Sequence, residues 1–308
     1  MSRKVALILA VFVCLTSIVA QDKKQDKKKE EPKPKIKVID RDPSGAKWVN
    51  AFEITTSHYI LHTDLSQEGG VKLAKTLESF FSFMCEEFKL NPEQAEADKL
   101  QFYAFSKVEK YKEVADKVLK KYTGITGVCS NGKVYCYAAG GGFGGLYKTS
   151  IHEGVHQVLE KYLNAKCGPS CMHTRPGFWV CEGFACFAGS LKVKDDGSYV
   201  IGENNHSALK DNAVQNVDFG RYIPMNQSQF YSGRRDVNYI IGYAISHFLY
   251  FYQDANKKYK YRDKFMNYVK FIHEGQGEND SLEKTMGTTL GKLQEEYRQY
   301  IKGLAGAK

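Results

Sequence analysis

Apolar residues alternate in short stretches through the first half of this chain and recur at helical spacing through the second. Phe52 to His62 (FEITTSHYILH) is rich in β-branched and aromatic residues and predicts a strand. From Leu65 to Phe88, the residues Leu73, Leu77, Phe80, Phe81 and Met84 fall on one stripe of a helix. Lys99 to Phe105 predicts a second strand, and Val108 to Lys121 a helix. Gly127 to Tyr137 reads as a hairpin, because Asn131-Gly132 suits the left-handed backbone of a two-residue turn. Beyond Glu182 come a short hairpin around Asp196-Gly197 and helices near 238–254, 258–273 and 281–302. Strands and helices mixed first, then helices alone, predict an α+β fold.

The ends behave differently. Residues 1–20 read as a secretory signal peptide: Arg3 and Lys4, an apolar run from Val5 to Val19, then Ala20 at the cleavage point. The run is short for a membrane span. Residues 21–46 form a Lys-rich segment with Pro32 and Pro34, and so little apolar surface predicts a disordered linker. Residues 47–308 remain as one large domain. Loss of the signal peptide lowers the net charge from +9 to +7, and acids interrupt the basic run, which argues against a nucleic-acid partner.

The chemistry gathers in Thr149-Ser150-Ile151-His152-Glu153-Gly154-Val155-His156-Gln157. On a helix, positions i and i+4 lie about 40° apart, so His152 and His156 project from one face and can share a metal ion. Glu153 stands beside them as a candidate base. Glu182, in Phe178-Trp179-Val180-Cys181-Glu182-Gly183-Phe184-Ala185, is the candidate third ligand on a second helix that follows Pro176-Gly177.

The pair of motifs, His152-Glu153-x-x-His156 with Trp179-x-x-Glu182-Gly183-Phe184-Ala185, resembles the gluzincin zinc metallopeptidases. Over roughly residues 48 to 303 the chain is most similar to secreted bacterial peptidase MA-like proteins. The resemblance implies two lobes, about 47–165 and 166–308, with zinc held between them by His152, His156 and Glu182. It implies a Glu153 general base, and a transition-state donor at Tyr239, with Tyr243 and His247 as alternatives on the same helix. It also implies an edge strand beside the zinc helix, expected at Val134 to Ala138, on which an extended substrate could pair. No Gly-x-Met-Glu-Asn-type sequence precedes the zinc helix, so endopeptidase action on a peptide or protein is expected rather than aminopeptidase action. A zinc-binding protein without catalysis and a zinc amidohydrolase of non-peptide substrates are the alternatives. Cys186 stands one turn after Glu182, where some gluzincins carry an aspartate that orients a metal histidine, so that support is expected from elsewhere.

Three further features bear on the picture. Seven cysteines follow the signal peptide, and Cys167 with Cys171 and Cys129 with Cys136 are local disulfide candidates. Gly140 to Gly145 lacks the Lys-Ser/Thr ending of a phosphate loop and predicts a cleft loop. His273-Glu274-Gly275 lacks a histidine at 277, which predicts a decoy with ordinary loop chemistry.

Overall fold

The alternating segment at 52–62 folds as two strands rather than one. β2 (Lys47–Thr55) and β3 (Tyr59–Thr63) are antiparallel, with Thr55 opposite Ile60. Thr56-Ser57-His58 interrupts the apolar run and makes the turn, in which Thr56 N donates to Tyr59 O at 3.0 Å. The computed structural model describes residues 33–120, 124–139, 143–163, 175–202 and 209–306. All elements belong to one compact unit, Pro32–Lys308. The expected signal peptide and the pair Cys167 and Cys171 lie outside the described residues.

Part of the expected linker is ordered. β1 (Lys35–Arg41) pairs antiparallel with β2, Lys35 opposite Thr55 and Ile39 opposite Ala51. Val38 is 72% exposed, so backbone pairing rather than burial holds this strand, and a count of apolar residues misses it. Asp42 then closes the turn to β2 by accepting from Ser44 N at 2.8 Å and Ala46 N at 3.0 Å.

The sheet has six strands in the order β1-β2-β3-β4-β6-β5, where β4 is Leu100–Phe105, β5 Gly127–Ser130 and β6 Lys133–Tyr137. β3–β4 and β4–β6 are parallel; the remaining pairs are antiparallel. Helix α1 (Gln67–Phe88) and the short α2 (Pro92–Ala97) lead from β3 to β4, and α3 (Val108–Val118) follows β4. β4 alternates between two cores: Tyr103 and Phe105 pack with Trp48 and Tyr111, and Phe102 and Ala104 face the larger core with α1. The hairpin turns at Asn131 (φ 51°) and Gly132 (φ 69°) as expected. The expected edge strand is displaced, however. β6 lies inside the sheet between β4 and β5, and among the described residues Gly127–Ser130 is the end strand on this side.

Helix α4 (Phe143–Tyr162) crosses the sheet and already includes Gly144 and Gly145, so the end of the glycine run is helical rather than loop. Gln157 fixes it there: its buried amide donates to Gln101 O on β4 and to Gly132 O in the hairpin, both at 2.8 Å. Next come α5 (Trp179–Ala188) and the small hairpin β7 (Lys192–Val193) with β8 (Tyr199–Val200), turning at Gly197. Three short helices follow, α6 (Asn212–Gln215), α7 (Phe219–Tyr222) and α8 (Gln227–Ser232). Then come α9 (Arg235–Phe251) and α10 (Arg262–His273). The helix expected at 281–302 is two, α11 (Ser281–Met286) and α12 (Leu290–Gly306), separated by Gly287 at φ 69°. No described helix is long and apolar enough to cross a membrane.

Glu78 ties α1 to the β2–β3 turn. It is 8% exposed and accepts from His58 N at 2.8 Å and from the His58 ring. Burial pushes its carboxyl upward, but the hydrogen bonds from His58 and Thr56 outweigh that and hold it below its ordinary 4.5. A depressed carboxyl stabilises the fold above its unfolded pKa and loses that contribution as pH falls through the folded value. Glu78→Gln should cost about 1–3 kcal/mol at pH 7. In urea titrations across pH, the gap from the native chain should shrink below about pH 4.

A candidate metal centre between two packed helices

Two helices bring the chemistry together because two glycines let a third approach. A Cβ on Gly183 of α5 would lie 2.7 Å from the backbone C and O of Gly242 on α9, so the two helices touch backbone to backbone. That contact seats α5 between α4 and α9, with Trp179, Val180 and Phe184 buried around it. α4 and α5 run antiparallel: Glu182 meets His152, and Gly189 at the end of α5 lies against the carbonyl of Lys148, one turn earlier on α4.

His152, His156 and Glu182 converge there. Nε2 of His152 lies 3.1 Å from Glu182 Oε2 and 3.3 Å from Nε2 of His156, and His156 Nε2 lies 3.7 Å from the same carboxylate oxygen. Metal–ligand bonds of about 2.0–2.1 Å in a tetrahedron put neighbouring ligand atoms about 3.3 Å apart. The three separations bracket that value, so the group could hold a metal ion, as expected from the spacing of these residues. Two imidazoles and a carboxylate suit zinc and other borderline divalent ions.

The surrounding residues fix each ligand. Tyr231 of α8 donates its hydroxyl to Glu182 Oε1 at 2.6 Å, which leaves Oε2 for the histidines. Glu182 is 6% exposed. Burial pushes its carboxyl up, but the bonds from His152 and His156 hold it well below the ordinary range. Nδ1 of His152 faces Cys186 Sγ at 3.7 Å. The second contact of that histidine thus comes from the position where none was expected, and a sulfur acceptor there leaves Nε2 free to bind a metal.

Glu153 turns toward β5. A Cβ on Gly127 would lie 2.9 Å from Glu153 Cγ and 2.6 Å from Thr149 Cγ2, so glycine is what lets the edge strand lie against α4 beside this carboxylate. Burial raises the Glu153 carboxyl, against the opposing pull of His152 and His156.

The α9 face supplies Arg235, Tyr239 and Tyr243 at successive turns, all lining the cleft. The Tyr239 ring lies 6.0 Å from that of His152, and its hydroxyl accepts from Arg235 Nη2 at 3.4 Å. Burial raises the phenol's pKa, which keeps it a proton donor. Tyr243 Oη is buried without a hydrogen-bond partner among the described residues. His247 does not reach the cleft. It lies 3.2 Å from Gly202 O and 2.8 Å from Tyr300 Oη, a core position that removes it from the donor alternatives.

Two expectations about other residues are corrected. His273 is in the cleft wall as the buried last residue of α10, with Nδ1 2.8 Å from Val269 O. Burial pushes it down to about 4, so it is neutral at pH 7. Cys129 and Cys136 are both free thiols. Cys136 faces Ser150 Oγ at 3.5 Å and Cys129 faces Glu160 at 3.7 Å, nearly three turns further along α4. The cleft around the centre has a volume near 1250 Å³.

No family model matches this chain, and no curated protein matches it.

Removing the Tyr231 hydroxyl should free Glu182 and weaken the centre. Tyr231→Phe is expected to lower zinc affinity about tenfold in competition with a chromophoric chelator. Gly183→Ala, which forces α5 away from α9, should weaken binding further and destabilise the fold. Gly144→Ala, with open space at its Cβ, should leave both unchanged.

Proposed function

We propose that this chain is a secreted zinc metallopeptidase of the gluzincin type, acting as an endopeptidase. The observation that carries the reading is the meeting of His152, His156 and Glu182 in the wall of an open cleft, with Glu153 and the edge strand Gly127–Ser130 beside them. In this reading the sheet with α1 to α4 is one lobe, the later helices are the other, and the centre lies between them. Residues 1–20 act as the export signal.

A zinc ion held by these three residues would serve as a Lewis acid, acidifying a water at its open position and polarising a carbonyl. The chain's own residues would do the rest. Glu153 takes a proton from the attacking water and passes it to the leaving amine, a role suited to a carboxyl whose pKa burial has raised. Tyr239 donates to the carbonyl oxygen as charge develops on it, and Arg235 holds the phenol toward the cleft. Tyr231 and Cys186 keep Glu182 and His152 in their binding orientations. Gly127–Ser130 is the end strand beside the centre, with the Cys129 backbone bonded to Glu153, and an extended peptide laid along this edge would be cut within its chain.

The test is cleavage of a mixed peptide library by the zinc-loaded chain beside Glu153→Gln. The variant should keep its zinc and lose cleavage by about a hundredfold or more. Equal activity would refute the mechanism, and zinc binding by the native chain without cleavage would favour a non-catalytic zinc protein. Tyr239→Phe should lower kcat about a hundredfold with little change in KM. A rise in KM alone would make Tyr239 a binding residue.

A further inference from the structure

The cleft continues past the metal group toward the first turns of α4, and its lining there is basic. Lys148 lies one turn before His152 on the same helical face, Lys72 comes from α1, and Lys192 from β7 just beyond the end of α5. Lys72 Nζ sits 5.9 Å from the centroid of Tyr147. Three separate segments therefore bring cations to one arm of the cleft, which no local run of charge explains.

None of these three lysines pairs with a carboxylate among the described residues, whereas other cations of this chain do: Lys110 with Asp42, Lys260 with Glu296, Arg262 with Glu87. The acids that line the cleft are Glu153 and Glu182 at the centre and Glu160, one turn beyond His156 at the opposite end. The neighbouring depression shares Lys72 with this arm and carries both signs, with Lys75 and Lys194 beside Glu68 and Asp195.

We infer that this arm selects substrates bearing acidic residues close to the bond that is cut. The inference rests on the hydrolase reading and names its substrate class. One helical turn from His152 to Lys148 is about 5–6 Å, which two residues of extended peptide span at about 3.3 Å each. A lysine side chain reaches further, so Asp or Glu two to four positions from the scissile bond meets the cluster. Exposed charge pairs are individually weak and screened by salt, so discrimination comes from three cations acting together.

The experiment measures binding apart from turnover. Labelled decapeptides with Glu/Asp-rich, neutral and Lys-rich flanks are titrated into zinc-loaded Glu153→Gln chain by fluorescence anisotropy at low and high salt. The acidic peptide should bind most tightly, lose its advantage at high salt, and weaken roughly tenfold when Lys72, Lys148 and Lys192 are all changed to Ala. The neutral peptide should bind the triple variant unchanged, which also shows that it is folded. Equal binding of acidic and Lys-rich peptides, or an acidic preference that survives in the triple variant, overturns the inference. Binding with this preference but no cleavage by the native chain would leave the subsite standing and count against the hydrolase reading alone.

Discussion

The backbone contact between Gly183 and Gly242 sets the spacing on which the rest of the centre depends. With no side chain on either residue, α5 packs directly on α9 and brings Glu182 within 3.1 Å of His152. A methyl group at Gly183 would meet backbone atoms, which cannot rotate aside as a side chain can. The same crossing brings the Arg235, Tyr239 and Tyr243 face of α9 to the opposite side of the cleft. On the other flank, Gln157 fastens α4 to β4 and the hairpin, and Gly127 lets β5 lie against Glu153. His152, His156 and Glu182 are thus held by rigid elements on both sides, which is what a site of fixed geometry requires.

Electrostatics explains why these particular partners surround it. A carboxylate as buried as Glu182 must be hydrogen-bonded or paired, and it is both, through Tyr231 and the two histidines. Cys186 gives His152 a soft acceptor in place of a carboxylate. Adding another negative carboxylate here would have to overcome the desolvation that already opposes ionisation of Glu153 and Glu182. Further along the cleft the balance reverses, and exposed lysines dominate.

Much of this was legible in the sequence because the relevant signals are local. His152 and His156 are related by helical spacing, Asn131-Gly132 by turn chemistry, and both behave as read. Glu182 could be proposed from the residues around it, although its partner helix could not. What escaped were relations between distant segments. β1 is held by backbone bonds to β2, which its Lys-rich composition conceals. Tyr231 comes from a six-residue helix with no periodic tie to Glu182. His273 lacks a second histidine nearby and reaches the cleft only because α10 ends there. The order β4-β6-β5 makes Gly127–Ser130 the edge, a topological fact that the hairpin signal leaves open.

Everything proposed for this cleft requires that His152, His156 and Glu182 bind one metal ion. Anomalous diffraction collected at the zinc edge from crystals of the zinc-loaded chain tests it most directly. A single strong peak is expected about 2.0–2.1 Å from Nε2 of both histidines and from a Glu182 oxygen. A peak coordinated by other residues, or none at this group at saturating zinc, would contradict it.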